Sequence, residues 1–400
     1  MKKYTKLIAI TTSAIVLTAC AQDQSADAAN AKGGGDAKLQ ETLADPAATG
    51  NVALATEVLA EGLSNPWSIS FYPNNLILVA ERHGAIRAIR DGVLQEARIV
   101  GGPQVYVDGQ GGLFDILPHQ DYANNNVIYI SYAGGSKEQN ALTVARANFD
   151  GIEISNFEEI YVATPLKDTS LHFGGRMDWG TDGKLYVTIG EGSKYKEKSQ
   201  DMTSSFGAVV RLNEDGTAAS GNPDFGVGSP PELYTKGHRN PQGLAVDPER
   251  GVIWEHEHGP RGGDEINIIE AGANYGWPIA SYGIDYNGAK ITPFTQYQDT
   301  KQPFKYWTPS IAPSGLAVYR GDLFPEWDGD LLIGAMSSSA GEALHRVVIE
   351  DMQEVREERY LLGNRIRDVR VGPDGAIYVA TEERRGEPVG KILRLTPAAQ

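Results

Sequence analysis

The sequence predicts an all-β fold, and specifically a six-bladed β-propeller. One pattern occurs six times along the chain: an entry marked by Gly or Pro, a short strand, a turn of the Pro-Asp-Gly or Pro-Asn-Asn kind, and a second apolar strand. Most copies continue into a third short strand, and no long segment has the 3.6-residue period of an amphipathic helix. Short antiparallel strands that repeat every 45 to 70 residues or so (about one blade length) are typical of radial blades.

The copies follow one another from residue 67 to residue 379. They occupy residues 67–79, 113–131, 176–187, 243–254, 315–333 and 368–379, and third strands are visible at 85–89, 208–212 and 391–395. A strand-like segment, 52–59, precedes the first copy, and we expect it to complete the last blade so that the ring closes without a free sheet edge. A two-sheet sandwich is the alternative fold, but a sandwich does not require near-copies of one four-stranded unit.

The first 50 residues predict export and a tether. Residues 1–20 combine a basic start, an apolar run too short to span a bilayer and small residues before Cys20, as a secretory signal does. Cys20 stands where a bacterial lipoprotein signal places its lipidated cysteine; the alternative is a free thiol at the signal boundary. We therefore expect an exported, periplasmic protein that contacts a membrane through a lipid anchor at Cys20. Residues 21–50 have few large apolar side chains and predict a flexible tether, which leaves 51–400 for the propeller domain.

Charge and cysteine content exclude some classes of function and of stabilisation. The formal net charge is −16, which argues against a nucleic-acid partner because phosphate binding needs clustered Lys and Arg. The alternative use of this acidity is to keep an exported protein soluble. With one cysteine in the chain there is no intrachain disulfide, so stability has to come from the core and from any bound metal.

Function is expected in the long loops between blades, which gather at one end of the central channel of a propeller. The least repetitive stretches are 109–112, 171–176 and 237–286. His172 precedes two glycines and a strand, so it is a candidate general base, because an imidazole titrates near neutrality and glycines let a ligand approach the backbone. The alternative is a histidine packed in a loop.

Two arginine motifs are candidates for binding negative charge. Arg239 lies in the polar run 237–243, where a fixed guanidinium could hold a carboxylate or stabilise developing negative charge; a turn with one solvated arginine is the alternative. Arg365 and Arg367 alternate at the start of the last blade, so both are expected on one side, where they could bind an anionic ligand. A salt-bridged strand start would also explain them.

The segment 256–285 contains possible metal ligands. His256 and His258 would share a face of a strand, which raises the possibility of a zinc site, but the spacing places no third ligand. Carboxylates and loop carbonyls between 259 and 285 suit a hard cation such as calcium instead. An acidic solvated loop is the alternative.

Taken together, these motifs resemble those of the soluble PQQ-dependent glucose and aldose sugar dehydrogenases. The resemblance runs from residue 63 to about residue 397 and includes six motifs in the same order. They are residues 109–113, 172–176, 237–243, 258–265, 274–278 and 364–368. The family fold is a six-bladed propeller, in agreement with the repeat count.

The resemblance implies a role for each candidate residue. His172 would be the base that takes the proton of the anomeric hydroxyl while hydride passes to PQQ, and Arg239 would stabilise charge on the quinone. Other positions that line the cofactor site in the family are occupied here by Gln110, Asn240, Arg365 and Arg367. The arginines make physical sense, because PQQ carries three carboxylates.

The same resemblance implies two calcium sites. Backbone carbonyls of Gly259 and Pro260 would hold the calcium that polarises the quinone. A second, structural calcium site would be formed by Glu265, Tyr275 and Asp285.

The chain also departs from the family pattern at two places. Ser337 stands where the family commonly has a cofactor-binding lysine, so one cation is lost for the oxygens of PQQ. Gly192 follows Glu191 where glucose-specific members have a glutamine, so glucose is not implied as the substrate.

The leading hypothesis is a PQQ-dependent oxidoreductase that oxidises aldose sugars at C1 to lactones, with calcium and an electron acceptor that the sequence does not identify. A calcium-dependent lactonase is the second hypothesis, and a propeller that binds without catalysis is the third. The paired arginines favour the quinone over the lactonase, because a lactonase has no use for the recognition of three carboxylates.

Overall fold

The computed structural model describes residues 50–337, 342–382 and 389–398. These residues form six small antiparallel sheets, so the predicted six-bladed propeller is confirmed. Helix in this part of the chain is confined to α1 (Tyr122–Asn125) and to 3₁₀ turns at Lys196–Gln200 and Pro325–Trp327, and none of it is long and apolar enough to cross a membrane. The predictions for residues 1–20, including Cys20, and for the tether up to residue 49 concern residues outside the described part.

The strands follow the chain around the ring. The first, β1 (Leu54–Leu63), belongs to the last blade. Blade 1 consists of β2 (Pro66–Tyr72), β3 (Leu76–Glu81), β4 (Ile86–Arg90) and β5 (Val93–Leu94). Blade 2 consists of β6 (Leu113–Pro118), β7 (Val127–Gly135), β8 (Asn140–Phe149) and β9 (Ile154–Val162). Blade 3 consists of β10 (Gly174–Trp179), β11 (Leu185–Ile189) and β12 (Ala208–Leu212).

The second half of the ring repeats this arrangement. Blade 4 consists of β13 (Pro241–Asp247), β14 (Val252–Glu257), β15 (Asp264–Ile268) and β16 (Lys305–Trp307). Blade 5 consists of β17 (Pro313–Val318), β18 (Leu331–Ala335), β19 (Ala343–Glu350) and β20 (Gln353–Leu361). Blade 6 consists of β21 (Arg365–Val371), β22 (Ile377–Glu382), β23 (Gly390–Pro397) and β1.

The first strand of each blade contacts the first strands of the two neighbouring blades, so these six strands surround the central axis. They are buried on both faces because neighbouring blades pack against them. The apolar residues that fill the spaces between blades, such as Trp67 and Phe114, are 1% exposed. The core is therefore a ring of small cores between blades.

The ring closes as the sequence predicted. Strand β1 pairs antiparallel with β23, with Leu54 opposite Pro397. The segment 52–59 thus supplies the outer strand of blade 6, which joins the N-terminal and C-terminal parts of the domain by main-chain hydrogen bonds.

Blade 3 departs from the four-stranded unit, since its sheet has three strands. The chain after β12 makes only isolated bridges, Leu212 with Ala218 and Val210 with Leu233. The intervening residues 221–231 contain three glycines and three prolines. Proline cannot donate a ladder hydrogen bond and glycine adds no side chain to the packing, which explains why no fourth strand forms.

Aspartates join adjacent blades at the axis. Each accepts a hydrogen bond from a main-chain N–H of the next inner strand. Asp115 accepts from Met177 N at 3.1 Å, Asp178 from Val246 N at 2.9 Å, and Asp368 from Ile69 N at 2.8 Å. These bonds fix the position of each blade along the axis relative to the next blade.

Two arginines cross-link these aspartates. Arg176 lies 3.5 Å from Asp115 and 3.1 Å from Asp368, and Arg370 lies 3.2 Å from each of the same two aspartates. Arg176, Asp115 and Asp368 are at most 1% exposed. Leaving either aspartate without its ion pair would therefore lower the stability of the folded state strongly. We call these four residues the axial ion cluster.

Asp368→Asn tests the axial ion cluster. The amide keeps the shape of the side chain but removes the charge that faces two guanidinium groups, and we expect the free energy of unfolding to fall by about 3 kcal/mol. Urea unfolding followed by tryptophan fluorescence measures it. Asp299→Asn, at an exposed position with φ of 62°, is the matched control and should change little. Equal stability of the two variants would show that the axial ion cluster does not hold the blades together.

Candidate active site

The candidate residues converge because of where they stand relative to the inner strands. Gln110 precedes β6, His172 precedes β10, and Arg239 and Asn240 precede β13. Arg365 is the first residue of β21. The inner strands surround one axis, so the residues at their entries meet at one end of the central channel. The sequence prediction of a site at the channel mouth rests on the same arrangement.

His172 is held by its backbone conformation and by two hydrogen bonds. Its backbone has φ of 49°, in the left-handed region, and its N–H donates to Gln110 Oε1 at 2.8 Å. Its Nδ1 lies 2.8 Å from Glu191 Oε1. Since a carboxylate only accepts, Nδ1 carries the proton, and the lone pair of Nε2 is left for another molecule. Among the described residues Nε2 makes no hydrogen bond.

Electrostatics keep this imidazole neutral. Burial lowers the pKa of His172 below its usual value of 6.5, and the positive charge of Arg239 lowers it further. The Glu191 carboxylate opposes both effects, but the balance stays below the usual value. A neutral, oriented imidazole is the form that acts as a general base.

Glu191 is a functional residue that the sequence analysis noted only as the neighbour of Gly192. It follows β11 between two glycines, and its own N–H donates to the carbonyl of Arg239 at 2.9 Å. The chain passes so close to His172 here that a Cβ on Gly190 would lie 2.4 Å from the His172 carbonyl oxygen. A carboxylate flanked by glycines directly after a buried strand is the signal that could have identified it.

Lys167 is a second residue beside His172 that the sequence analysis did not identify. Its Nζ donates to Asn140 Oδ1 at 3.0 Å and to the Thr169 carbonyl at 2.6 Å, and it lies 3.3 Å from the centre of the Phe173 ring. Burial lowers the pKa of Lys167 to about 7. This buried amino group contacts the chain on both sides of His172, at Thr169 and at Phe173.

Arg239 contacts one of the two carbonyls for which the resemblance implies calcium, that of Gly259, and the neighbouring carbonyl of His258. Its Nη1 donates to Gly259 O at 2.7 Å and to His258 O at 3.0 Å, and its guanidinium lies 5.4 Å from the centre of the Trp277 ring. The neighbouring Asn240 side chain accepts from Gln242 Nε2 at 3.2 Å. These carbonyls therefore attract positive charge, as a cation site requires.

Arg365 and Arg367 lie together, as the alternation predicted. Both guanidinium groups contact Met336: Arg365 donates to its carbonyl at 2.7 Å, and Arg367 lies 3.4 Å from its sulfur. Arg365 also pairs with Glu382 at 3.0 Å. Arg367 stacks over Trp67 at 4.8 Å, and burial lowers the pKa of its guanidinium to about 10. Among the described residues no carboxylate pairs with Arg367, so it can bind an anionic ligand.

The predicted calcium ligands are only partly brought together. Gly259, Pro260, Glu265 and Tyr275 line one cavity of about 10 Å³, the size of a water molecule or a small ion. Asp285 is not part of its lining. Its carboxylate accepts from the N–H of Asn287 at 3.0 Å within its own turn.

The two histidines considered for zinc serve the packing of blade 5 instead. His256 Nε2 lies 3.3 Å from the Gly315 carbonyl, and His258 Nε2 lies 2.7 Å from the Pro313 carbonyl. Burial lowers the pKa of His256 to about 3, so it stays neutral. Both rings bind backbone oxygens of the next blade.

Comparison with known proteins identifies the family of this chain. A family model described as Glucose / Sorbosone dehydrogenase matches residues 63–394. The chain is 38% identical over 352 residues to the aldose sugar dehydrogenase YliI of Escherichia coli (strain K12), covering 85% of this chain and 92% of that protein.

Solved structures show the same fold. The crystal structure of the soluble aldose sugar dehydrogenase from Escherichia coli in its apo-form superposes with a TM-score of 0.81 at 36% identity, covering 86% of this chain and 100% of that chain. The PQQ-bound aldose sugar dehydrogenase from Streptomyces coelicolor gives a TM-score of 0.68 at 26% identity, covering 86% of this chain and 99% of that chain. These relatives support an oxidoreductase that acts on sugars. The chain belongs to the glucose/sorbosone dehydrogenase family.

Proposed function

We propose that this protein oxidises aldose sugars at C1 to lactones, with PQQ as the hydride acceptor and calcium as its partner ion. The observation that carries the proposal is the state of His172 at the channel mouth: Glu191 holds Nδ1, and Nε2 is free to take a proton. Oxidation of an alcohol to a carbonyl needs such a base close to the hydroxyl group. The family relationship supports a sugar as the substrate, and the geometry of His172 and Glu191 supports proton abstraction.

The protein supplies the proton transfer. Nε2 of His172 takes the proton of the C1 hydroxyl while the C1–H bond breaks with its electron pair and the second C1–O bond forms. Glu191 stabilises the imidazolium ion that results, because its carboxylate accepts from Nδ1. PQQ, when bound, would supply the quinone that accepts the hydride, and calcium would polarise that quinone as a Lewis acid.

The arginines fit a ligand that carries carboxylates. Arg367 has N–H groups without an acceptor among the described residues, and Arg365 lies beside it on Met336. In a chain of net charge −16, this local excess of positive charge attracts an anion to the mouth of the channel. Gln110, which accepts from the N–H of His172, and Asn240, which follows Arg239, add polar side chains to the site. The pair of arginines supports the cofactor even though Ser337 stands where the family commonly has lysine.

The cation would take one of the carbonyls that Arg239 now holds. The guanidinium satisfies Gly259 O, and a calcium ion on that oxygen and on Pro260 O would replace it. Arg239 would then be free to turn towards the cofactor, where its charge stabilises negative charge on the quinone oxygen. For the second calcium ion we propose Glu265, Tyr275 and Asp285. Because Glu265 and Tyr275 line the same cavity as Gly259 and Pro260, and it has room for one small ion, this second site requires the cavity to widen and the turn of Asp285 to rearrange.

The first prediction concerns the cofactor. Metal-stripped protein should bind PQQ tightly when calcium is present and weakly without it, as followed by the absorbance of PQQ. Arg367→Met should weaken binding by about 10-fold to 100-fold, because a charge-assisted hydrogen bond is lost. Arg98→Met, at an exposed position, is the control and should bind as the unaltered protein does.

The outcomes separate the candidate functions. Binding of PQQ followed by reduction of a dye that depends on an aldose would establish the dehydrogenase. No binding of PQQ at any calcium concentration would rule out the quinone and leave the calcium-dependent lactonase or the binding module. Binding of PQQ without any sugar-dependent reduction would favour the module.

The second prediction concerns the base and needs no cofactor. In ¹⁵N-histidine NMR spectra, His172 should stay neutral at pH 6.5 with its proton on Nδ1, and protonate only at lower pH. Glu191→Gln should lower the pKa of His172 further, because a carboxylate that favours the charged ring is removed. Arg239→Met should raise it, because a repelling charge is removed. Shifts of the same sign in both variants would contradict this arrangement of charges, and the exposed Glu96→Gln control should show none.

The proposal also includes export and a lipid anchor at Cys20, which rest on residues 1–20 of the sequence. Expressed with its own N-terminus, the protein should fractionate with membranes, and Cys20→Ser should release it to the soluble periplasmic fraction. Recovery of both forms in the same soluble fraction would exclude the anchor. Unchanged sugar oxidation by the released form would show that the anchor serves location alone.

A further inference from the structure

A second group of metal-binding side chains lies behind the turn that carries Arg239 and Asn240. His238 offers Nδ1, and Glu255 and Glu257 offer one carboxylate oxygen each; these atoms all lie within 4.8 Å of one another. All three residues are buried, with exposures of 0%, 0% and 4%. We call these residues, with Asn267 beside them, the blade 4 cluster.

The position of the two glutamates follows from strand geometry. They alternate on β14, so both side chains lie on the same face of the sheet. Asn267 on the neighbouring β15 donates from Nδ2 to Glu255 at 3.0 Å and to Glu257 at 3.4 Å. Two carboxylates therefore share one small buried space.

Their negative charge is poorly compensated. Within the described part of the chain, their ion pairs are with His238 alone, at 3.7 Å from Glu255 and 3.1 Å from Glu257. The nearby Arg239 guanidinium is bonded to carbonyl oxygens instead. Burying two adjacent carboxylates against one imidazole is costly without a further positive charge.

Two polar atoms of the blade 4 cluster lack partners. Glu255 Oε1 and Asn267 Oδ1 make no hydrogen bond, and both residues are 0% exposed. Unpaired buried oxygens cost free energy, because they lose their water without a replacement. Since the amide of Asn267 already faces the carboxylates, rotation by half a turn would present its oxygen to the same space.

The histidine is held ready to ligate. His238 Nε2 lies 2.9 Å from Thr235 Oγ1, and the ring stacks on Tyr275 with 4.5 Å between ring centres. Its Nδ1 is thereby directed at the carboxylates. Metal-ligating histidines are commonly oriented in this way by a hydrogen bond from the other ring nitrogen.

We propose that the blade 4 cluster binds a zinc-class divalent cation through His238, Glu255, Glu257 and the amide oxygen of Asn267. An imidazole with two carboxylates and one further oxygen makes a four-coordinate set, which suits zinc better than calcium, an ion that takes six to eight oxygens. The blade 4 cluster borders the cavity of the proposed calcium ligands, because Glu257 also lines that cavity and Glu265 lies opposite Glu257 in the sheet, but His238, Glu255 and Asn267 are not part of its lining.

The ion would brace the cofactor turn. Glu257 uses its other oxygen, Oε2, to accept from the N–H groups of Arg239 and of Asn240, the latter at 3.3 Å. A metal on Oε1 fixes this carboxylate, and the carboxylate fixes the turn. The blade 4 cluster is thus a structural site directly beneath two residues of the proposed active site.

The experiment uses the folded protein in saturating calcium, so that the calcium sites cannot account for uptake of a second metal. Metal-stripped protein is dialysed against zinc, and against cobalt as a spectroscopic probe. We expect one zinc per chain by elemental analysis, a higher melting temperature, and the visible absorption of four-coordinate cobalt with a nitrogen ligand.

Three variants make the test specific. Glu255→Gln and His238→Gln should each lower zinc affinity at least 10-fold and remove the cobalt bands, while Glu270→Gln, a partly exposed carboxylate paired with Lys301, should change neither. If Glu255→Gln or His238→Gln fails to fold, the cobalt spectrum of the unaltered protein still decides. Absence of zinc uptake by that protein, or cobalt bands that persist in His238→Gln, would overturn the proposal. Neither measurement depends on PQQ or on sugar oxidation.

Discussion

The axial ion cluster is the interaction on which the rest of the structure depends. Asp115 and Asp368 each accept a main-chain hydrogen bond from the next blade and an ion pair from Arg176 and from Arg370. The charges are buried, so they are stable only when all four side chains are in place. That requirement couples inner strands on opposite sides of the axis, and it fixes the position along the axis at which each of them begins.

This coupling of the inner strands also fixes the positions of the active-site residues. His172 and Arg176 are separated by three residues at the entry to β10, and Arg367 precedes Asp368 on β21. A displacement of either inner strand would move a candidate functional residue together with an axial one. The site can therefore be formed from loop residues and still be precise, because each loop is only a few residues from an anchored charge.

Much of the fold was predictable because it is periodic. Six copies of one strand pair, a third strand after most of them and the closing segment 52–59 are visible in the sequence. The missing fourth strand of blade 3 could have been inferred from the prolines and glycines of 221–231. The proximity of His172, Arg239 and the two arginines of β21 followed from their place before inner strands. Glu191 and Lys167 were missed, because their importance comes from burial beside His172. The glycines on both sides of Glu191 are a sequence signal for it, whereas Lys167 has no such signal.

The metal ligands show that the spacing of residues along the sequence does not by itself identify a metal site. Two histidines two residues apart raised the possibility of zinc, yet both rings bind carbonyls of blade 5, and the histidine that meets two carboxylates is His238, from a different segment. Residue spacing shows which side chains share a face of β14. The packing of the sheet decides which partners that face meets.

The pairing of β1 with β23 has a consequence for how the molecule is made. Leu54 meets Pro397, so the first strand to be synthesised has no partner until almost the whole domain has been translated. Contacts this distant along the chain form late and slowly, because a long segment must be ordered before they add stability. The ring therefore cannot close on a growing chain. A domain whose final contact is made by its last strand stays open until that strand has been synthesised.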